Sequence, residues 1–194
     1  MPLMLIRTEQ TPNPATRKFL PGQTVMEAGT RDFADRETAE ASPLASALFY
    51  SGMVEGVFFG RDFVSVTAAP GVSWTDLEPL VLETLLDHFV SSAPLFRAGS
   101  AAGIYVTDVN LDDDPEDADI IDQIKELIET RVRPAVAQDG GDIIFKGFDG
   151  ASGVVSLHLQ GSCAGCPSST MTLKNGIENM LRHYVPEVNA VEAV

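Results

Sequence analysis

Cys163 and Cys166 are the only thiols in the 194 residues, and they stand in the stretch HLQGSCAGCPSSTMTLKNGIENML, residues 158–181. A Cys-x-x-Cys pair can exchange with disulfides, hold zinc, or ligate an iron-sulfur cluster, and in each case the working species is the thiolate. Gly161 and Gly165 are small enough to let the backbone wrap closely and aim N–H groups at sulfur. Pro167 suits the first position of a following helix, which makes Cys166 its N-cap, facing the N–H groups of Ser168 or Ser169. A helix N-terminus favours anions, so both thiols are expected to ionise more readily than free cysteine.

The three uses make different demands on the rest of the chain. A thiol-disulfide oxidoreductase of thioredoxin type needs several strands and helices after its cysteines, and only 28 residues follow Cys166. A zinc-stabilised interaction module needs four ligands, two of which are missing. His158 sits on the polar side of a strand close to the loop, where solvation accounts for it. His183 near a helix end and His88 in the other half of the chain read as ordinary surface residues. An iron-sulfur cluster needs four thiolates; one chain offers two, and two chains about a twofold axis offer four. One cluster bridging a homodimer would be partly exposed and held by few contacts, which suits a carrier.

The elements that must position the pair are readable. Ile120, Ile121, Ile124, Leu127, Ile128 and Val132 recur at helical spacing, and Pro134 is expected to kink or end that helix. Asp139-Gly140-Gly141-Asp142 permits a tight reversal into a strand IIFKGF, and Gly147 to Gly153 turns into a second strand, VVSLHLQ. In that strand Val155, Leu157 and Leu159 share one face, with Ser156, His158 and Gln160 on the other. The cysteine loop follows. A helix then carries Leu173, Ile177, Met180, Leu181 and Tyr184 on one side, with Met171 also read as packing, and the tail VNAVEAV allows a last short strand.

The first ninety residues make a separate α+β unit. MLIRT is a strand candidate, TPNPATRKFLPG a turn plus a core strand, and SPLASALF a short helix with a serine cap and a proline at its first position. Val54 to Thr67 reads as a hairpin about Gly60-Arg61-Asp62. Ser73 or Thr75 caps a helix bearing Leu77, Leu80, Val81, Leu85 and Phe89 at helical spacing. The expected organisation is an α+β chain of two small domains, 1–89 and 118–194, joined by an acidic flexible linker over 90–117 that contains DVNLDDDPEDAD.

The net charge of -15 argues against a nucleic-acid partner, because such affinity rests on neutralising phosphates. No apolar run is long enough to span a bilayer, and no membrane partner is expected. The amino terminus resembles neither a signal nor a transit peptide, so the expected address is the cytoplasm.

DGGDI at Asp139 to Ile143 and the run from Leu159 to Leu181 resemble the carboxy-terminal domain of NifU, shared by Nfu-type iron-sulfur scaffold proteins. TPNPATRKFLPG, SPLASALF and GVFFGRDFVSVT resemble the Nfu amino-terminal domain. The resemblance implies a non-enzymatic scaffold or carrier that takes a 4Fe-4S cluster, in preference to 2Fe-2S, on Cys163 and Cys166 of two subunits. It implies upstream cluster-assembly factors and apo iron-sulfur client proteins as partners, a homodimer in the loaded state and, with no transit segment seen, a bacterial cytoplasmic member of the family. The carboxy-terminal unit is then a NifU-like helix-strand-strand-(CxxC loop)-helix-strand fold, and the amino-terminal one modulates dimer geometry or client choice.

Overall fold

The computed structural model describes residues 5–100, 117–164 and 167–194, with the backbone alone for 167–169. The chain divides into two compact units, Met1–Val106 and Thr107–Val194.

In the first unit five strands form one antiparallel sheet: β1 (Arg7–Gln10), β2 (Thr16–Leu20), β3 (Arg31–Phe33), β4 (Val54–Phe59) and β5 (Val64–Ala68), in the order β1-β2-β5-β4-β3. The β1–β2 reversal is closed by Asn13, whose carbonyl accepts from Thr16 N at 2.9 Å and whose side chain accepts from Ala15 N at 3.0 Å. Two short helices, α1 (Arg36–Ala39) and α2 (Pro43–Tyr50), precede the β4–β5 hairpin, and α3 (Trp74–Ser91) follows it. Ser42 caps α2 by accepting from Ala45 N at 3.2 Å, with Pro43 behind it; Ser73 caps α3 by accepting from Thr75 N at 3.2 Å. Periodicity did not indicate β3 and α1, because each is only three or four residues long.

Leu77, Val81 and Leu85 of α3 pack with Leu44 and Leu48 of α2 on Phe19, Phe33, Val57, Phe59, Val64 and Val66 of the sheet. Leu80, assigned to that stripe, is instead 40% exposed. The helix passes Phe89 to Ser91, and Leu95 and Phe96 also pack on this core, so ordered chain of this unit extends into 90–100. The rest of the acidic segment, 101–116, lies outside the described residues. Phe59 is wholly buried and stacks edge-on with Phe33 at 4.9 Å. Phe59→Ala is expected to destabilise this unit by about 3–5 kcal/mol, read as a lower denaturant midpoint with an unchanged m-value.

His88 is not the surface residue expected from sequence. It is buried on the core side of α3, edge-on to Phe89 at 5.2 Å. Burial lowers its pKa below the usual 6.5, against a smaller opposing effect of Asp87. With the folded value depressed, the unfolded state binds more protons; the stabilising contribution is complete above pH 6.5 and is lost as pH falls through the folded value. Thermal melts of this unit are therefore expected to drop between pH 7 and 5 (about the range in which histidine titrates). His88→Gln should flatten that part of the profile.

The second unit opens with α4 (Ala118–Leu127), continues through a π-helical turn (Ile128–Val132) and ends its first helical arm with α5 (Arg133–Gln138). Then come β6 (Gly141–Asp149), β7 (Val154–Gly161), α6 (Pro167–Tyr184) and β8 (Ala190–Ala193). The sheet order is β6-β7-β8, with β6 antiparallel and β8 parallel to β7. Ile121, Ile124, Ile128, Val132 and Val136 from the helical arm meet Ile143, Phe145, Val155, Leu157 and Leu159 from the sheet, with Ile177 and Leu181 of α6 in the same core. Pro134 does not end the helix. The Arg133 N–H reaches back to Ile128 O, five residues away, and this wider turn relieves the clash that a proline ring makes with the carbonyl four residues earlier.

Three residues assigned to packing or solvent lie elsewhere. Met171 is 64% exposed, and Tyr184 is largely exposed beneath the Arg131 guanidinium, 4.8 Å from its ring centre. Gln160, on the polar side of β7, is fully buried. Among the described residues no helix is long and apolar enough to cross a membrane.

Candidate metal centre

The centre is assembled from two loops at one end of the three-stranded sheet. Gly141 opens β6 directly opposite Gly161, which closes β7, so the loops before and after these strands are brought side by side. Gly140 has φ +81°, the left-handed conformation that lets the chain turn from α5 into β6. Gly141 has a different reason to be glycine. A Cβ there would stand 2.8 Å from Cys163 Sγ and 2.5 Å from the Gln160 carbonyl oxygen. Turn formation explains Gly140, whereas close approach to a candidate ligand explains Gly141.

Ser162 joins the loops further. Its N–H donates to Gly140 O at 3.3 Å and its hydroxyl donates to the Asp139 carbonyl. Ala164 N–H donates to Gly161 O at 3.1 Å, closing the turn that carries Cys163. Thr170, one turn into α6, donates its hydroxyl to Cys163 O at 2.9 Å and ties the helix to the loop. The helix begins at Pro167, the position the proline predicts. Cys166 itself, and with it the expected N-cap, lies outside the described residues.

Cys163 is only 6% exposed and belongs to the core cluster of its unit. Burial pushes its thiol up to about 11, the Ser162 hydroxyl opposes this, and the nearby Asp139 and Asp142 carboxylates raise it further. The expectation that both thiols ionise easily is therefore corrected for Cys163. At this sulfur desolvation, joined by two negative neighbours, exceeds the opposing effect of the Ser162 hydroxyl.

The histidines stay apart from the pair. His158 Nδ1 lies 2.6 Å from the Val194 carbonyl, which can only accept, so this nitrogen carries the proton. It is bonded to backbone where solvation was expected. His183 stacks edge-on with Tyr184 at 4.9 Å. Among the described residues no group of three or more His, Cys, Asp or Glu side chains is placed to hold a metal. The sequence pattern reads Gly140 and Gly141 as turn residues and gives no sign of the Ser162 and Thr170 contacts. The signal was the paired occurrence of Asp-Gly-Gly-Asp and Gly-Ser-Cys, which only the β6–β7 register turns into a contact.

Residues 6–92 match the family described as scaffold protein Nfu/NifU N terminal, and residues 124–192 match the NifU-like domain. The chain is 49% identical to NifU-like protein 4, mitochondrial, of Arabidopsis thaliana, over 97% of this chain and 65% of that protein. It is 46% identical to the human NFU1 iron-sulfur cluster scaffold homolog, mitochondrial, over 98% of this chain and 72% of the relative. A solution structure of a NifU-like protein from Saccharomyces cerevisiae aligns with a TM-score of 0.45 at 22% identity, covering 50% of this chain and 87% of the other. The chain belongs to the Nfu/NifU-like family of iron-sulfur cluster scaffold proteins.

Those relatives overturn the bacterial cytoplasmic address expected from sequence, since the plant and human proteins are mitochondrial by name. The chain spans 65% of the length of the Arabidopsis thaliana relative.

Proposed function

We propose that the chain is a carrier that accepts a 4Fe-4S cluster on Cys163 and Cys166, shares it across a homodimer, and passes it to apo iron-sulfur proteins. The observation that carries this reading is the seat of Cys163. Its sulfur is packed against a glycine and framed by backbone hydrogen bonds from two loops, while the described residues offer it no further ligand cluster. Four thiolates are the ordinary complement of such a cluster, and two copies of this chain supply them. The family membership supports iron-sulfur clusters as the cargo. Upstream assembly factors would load it, and no catalytic step is required, because transfer is an exchange of iron between the thiolates of donor and recipient.

The amino-terminal domain, which Leu95 and Phe96 extend beyond residue 89, serves as the client-holding part and domain 118–194 as the cluster-bearing part. Joining the two in one chain raises the effective concentration of the donor at a bound client. The working compartment is mitochondrial, as in the named relatives.

Anaerobic reconstitution with iron and sulfide, followed by metal, sulfide and mass measurements on one sample, tests the proposal. About four irons and four sulfides per dimer are expected. Stoichiometric zinc on a monomer would sink the carrier reading in favour of an interaction module. Metal-free catalytic reduction of insulin would favour a dithiol oxidoreductase.

A further inference from the structure

We propose that Arg133 is a positioning residue for the cysteine loop, acting through Asp142 and Gly141; this rests on the reading of Cys163 as a cluster ligand. Arg133 is the first residue after the π-helical turn. One extra residue in a helical turn rotates all that follows by about 100°. The turn thus decides where this guanidinium points.

It points at the start of β6. Nε lies 2.8 Å from Asp142 Oδ1 and Nη2 lies 2.7 Å from Oδ2, while Nη1 bonds Glu129. This is a planar two-point clamp on a carboxylate whose side chain is 5% exposed. Asp142 Oδ1 also accepts from the N–H of Ile143 at 2.8 Å, so the clamped carboxylate is fixed to its own strand. The residue before it is Gly141, against which Cys163 Sγ packs.

The chain of contacts therefore runs from the helical arm through a buried ion pair to the wall of the sulfur seat. The other end of the Asp139–Asp142 loop is already held to the cysteine loop through Ser162. Without Arg133, Asp142 is a buried carboxylate that has lost its bidentate counter-charge, and it relaxes toward water. That motion draws Gly141 off the sulfur. Lysine supplies the charge without the fork and holds the carboxylate at one point only.

The test uses the full apo chain, pulsed with iodoacetamide under native conditions, with modification at Cys163 quantified by peptide mass mapping. Arg133→Met is expected to speed alkylation of Cys163, and in cluster-loaded preparations to speed cluster loss to EDTA, each by about tenfold. Arg133→Lys should fall between wild type and Arg133→Met, and it decides the matter if the methionine variant fails to fold. Val191→Ala, in the core at β8 and remote from the loop in sequence, controls for general loosening. A Cys163 rate that stays within about twofold of wild type in Arg133→Met, or in Arg133→Lys where the methionine variant does not fold, or an equal rise in Val191→Ala, overturns the proposal. If the wild-type chain holds no iron, the carrier reading fails while the alkylation ratios still decide the role of Arg133.

Discussion

In the proposed carrier, Cys163→Ala is expected to remove cluster binding altogether, from about four irons per dimer to none, while leaving the carboxy-terminal unit folded. The two halves of this result have separate origins. Loss of the sulfur leaves at most two thiolates per dimer, too few for a cluster. Folding survives because a buried cysteine packs as a small apolar side chain, which alanine approximates at the cost of one heavy atom. The same burial sets the chemistry of the apo-protein. With its thiol pushed up to about 11, Cys163 is held protonated near neutral pH, and oxidants and alkylating reagents, which need thiolate, meet an unreactive group. The rate of Cys163 alkylation in the native apo chain is expected to climb about tenfold per pH unit from neutrality and to level off only near pH 11. A plateau near pH 9, the ordinary value for this group, would contradict the seat described above. The sign for stability follows. The raised folded value contributes stability in full below pH 9.0, and that contribution is lost as pH rises from there through about 11. In the proposed carrier, iron displaces this proton on loading, so loading is expected to be favoured by higher pH.

The parts of this molecule that sequence makes legible are those with a repeating or punctuated pattern. The caps Ser42 and Ser73, Pro43, the β4–β5 hairpin and the alternation Val155, Leu157, Leu159 each reflect a local rule that tertiary structure leaves in force. Where the structure departs, a through-space interaction has overridden a local one. Pro134 is absorbed by a π turn whose following arginine gains a buried carboxylate partner. His88 and Gln160 are polar residues that local pattern assigns to solvent, and both are buried. The cysteine pair was recognisable from spacing and flanking residues. The desolvation of Cys163 was not, because that depends on the β6–β7 register that brings residues 139–142 beside residues 160–163. Nothing in a Cys-x-x-Cys motif announces which aspartates will lie near it.

That register leaves Gly141 no room for a side chain. Gly141→Ala is expected to destabilise the carboxy-terminal unit by about 1–3 kcal/mol, toward the upper end of the overpacking range. Two of the three nearest atoms to the new methyl are backbone, the Gln160 carbonyl oxygen at 2.5 Å and Cys163 N at 3.3 Å, and backbone paired in a sheet gives way less easily than a side chain. The third is Cys163 Sγ at 2.8 Å, far inside contact distance, so relief comes by displacing the sulfur or by parting β6 from the end of β7. Either movement spoils the ligand geometry, and cluster retention is expected to fall by about tenfold or more, beyond what the loss of stability explains. The neighbouring glycine provides the contrast. Gly140 needs a left-handed backbone, which asparagine tolerates better than other residues, so Gly140→Asn should cost only about 1 kcal/mol and keep most of the bound iron. Thermal melts and iron retention measured on the two variants together separate a requirement for conformation from a requirement for space. If Gly141→Ala retained its cluster as well as Gly140→Asn, the close approach of Gly141 to Cys163 would not govern the site, and the aspartate-glycine loop would be a turn and nothing more.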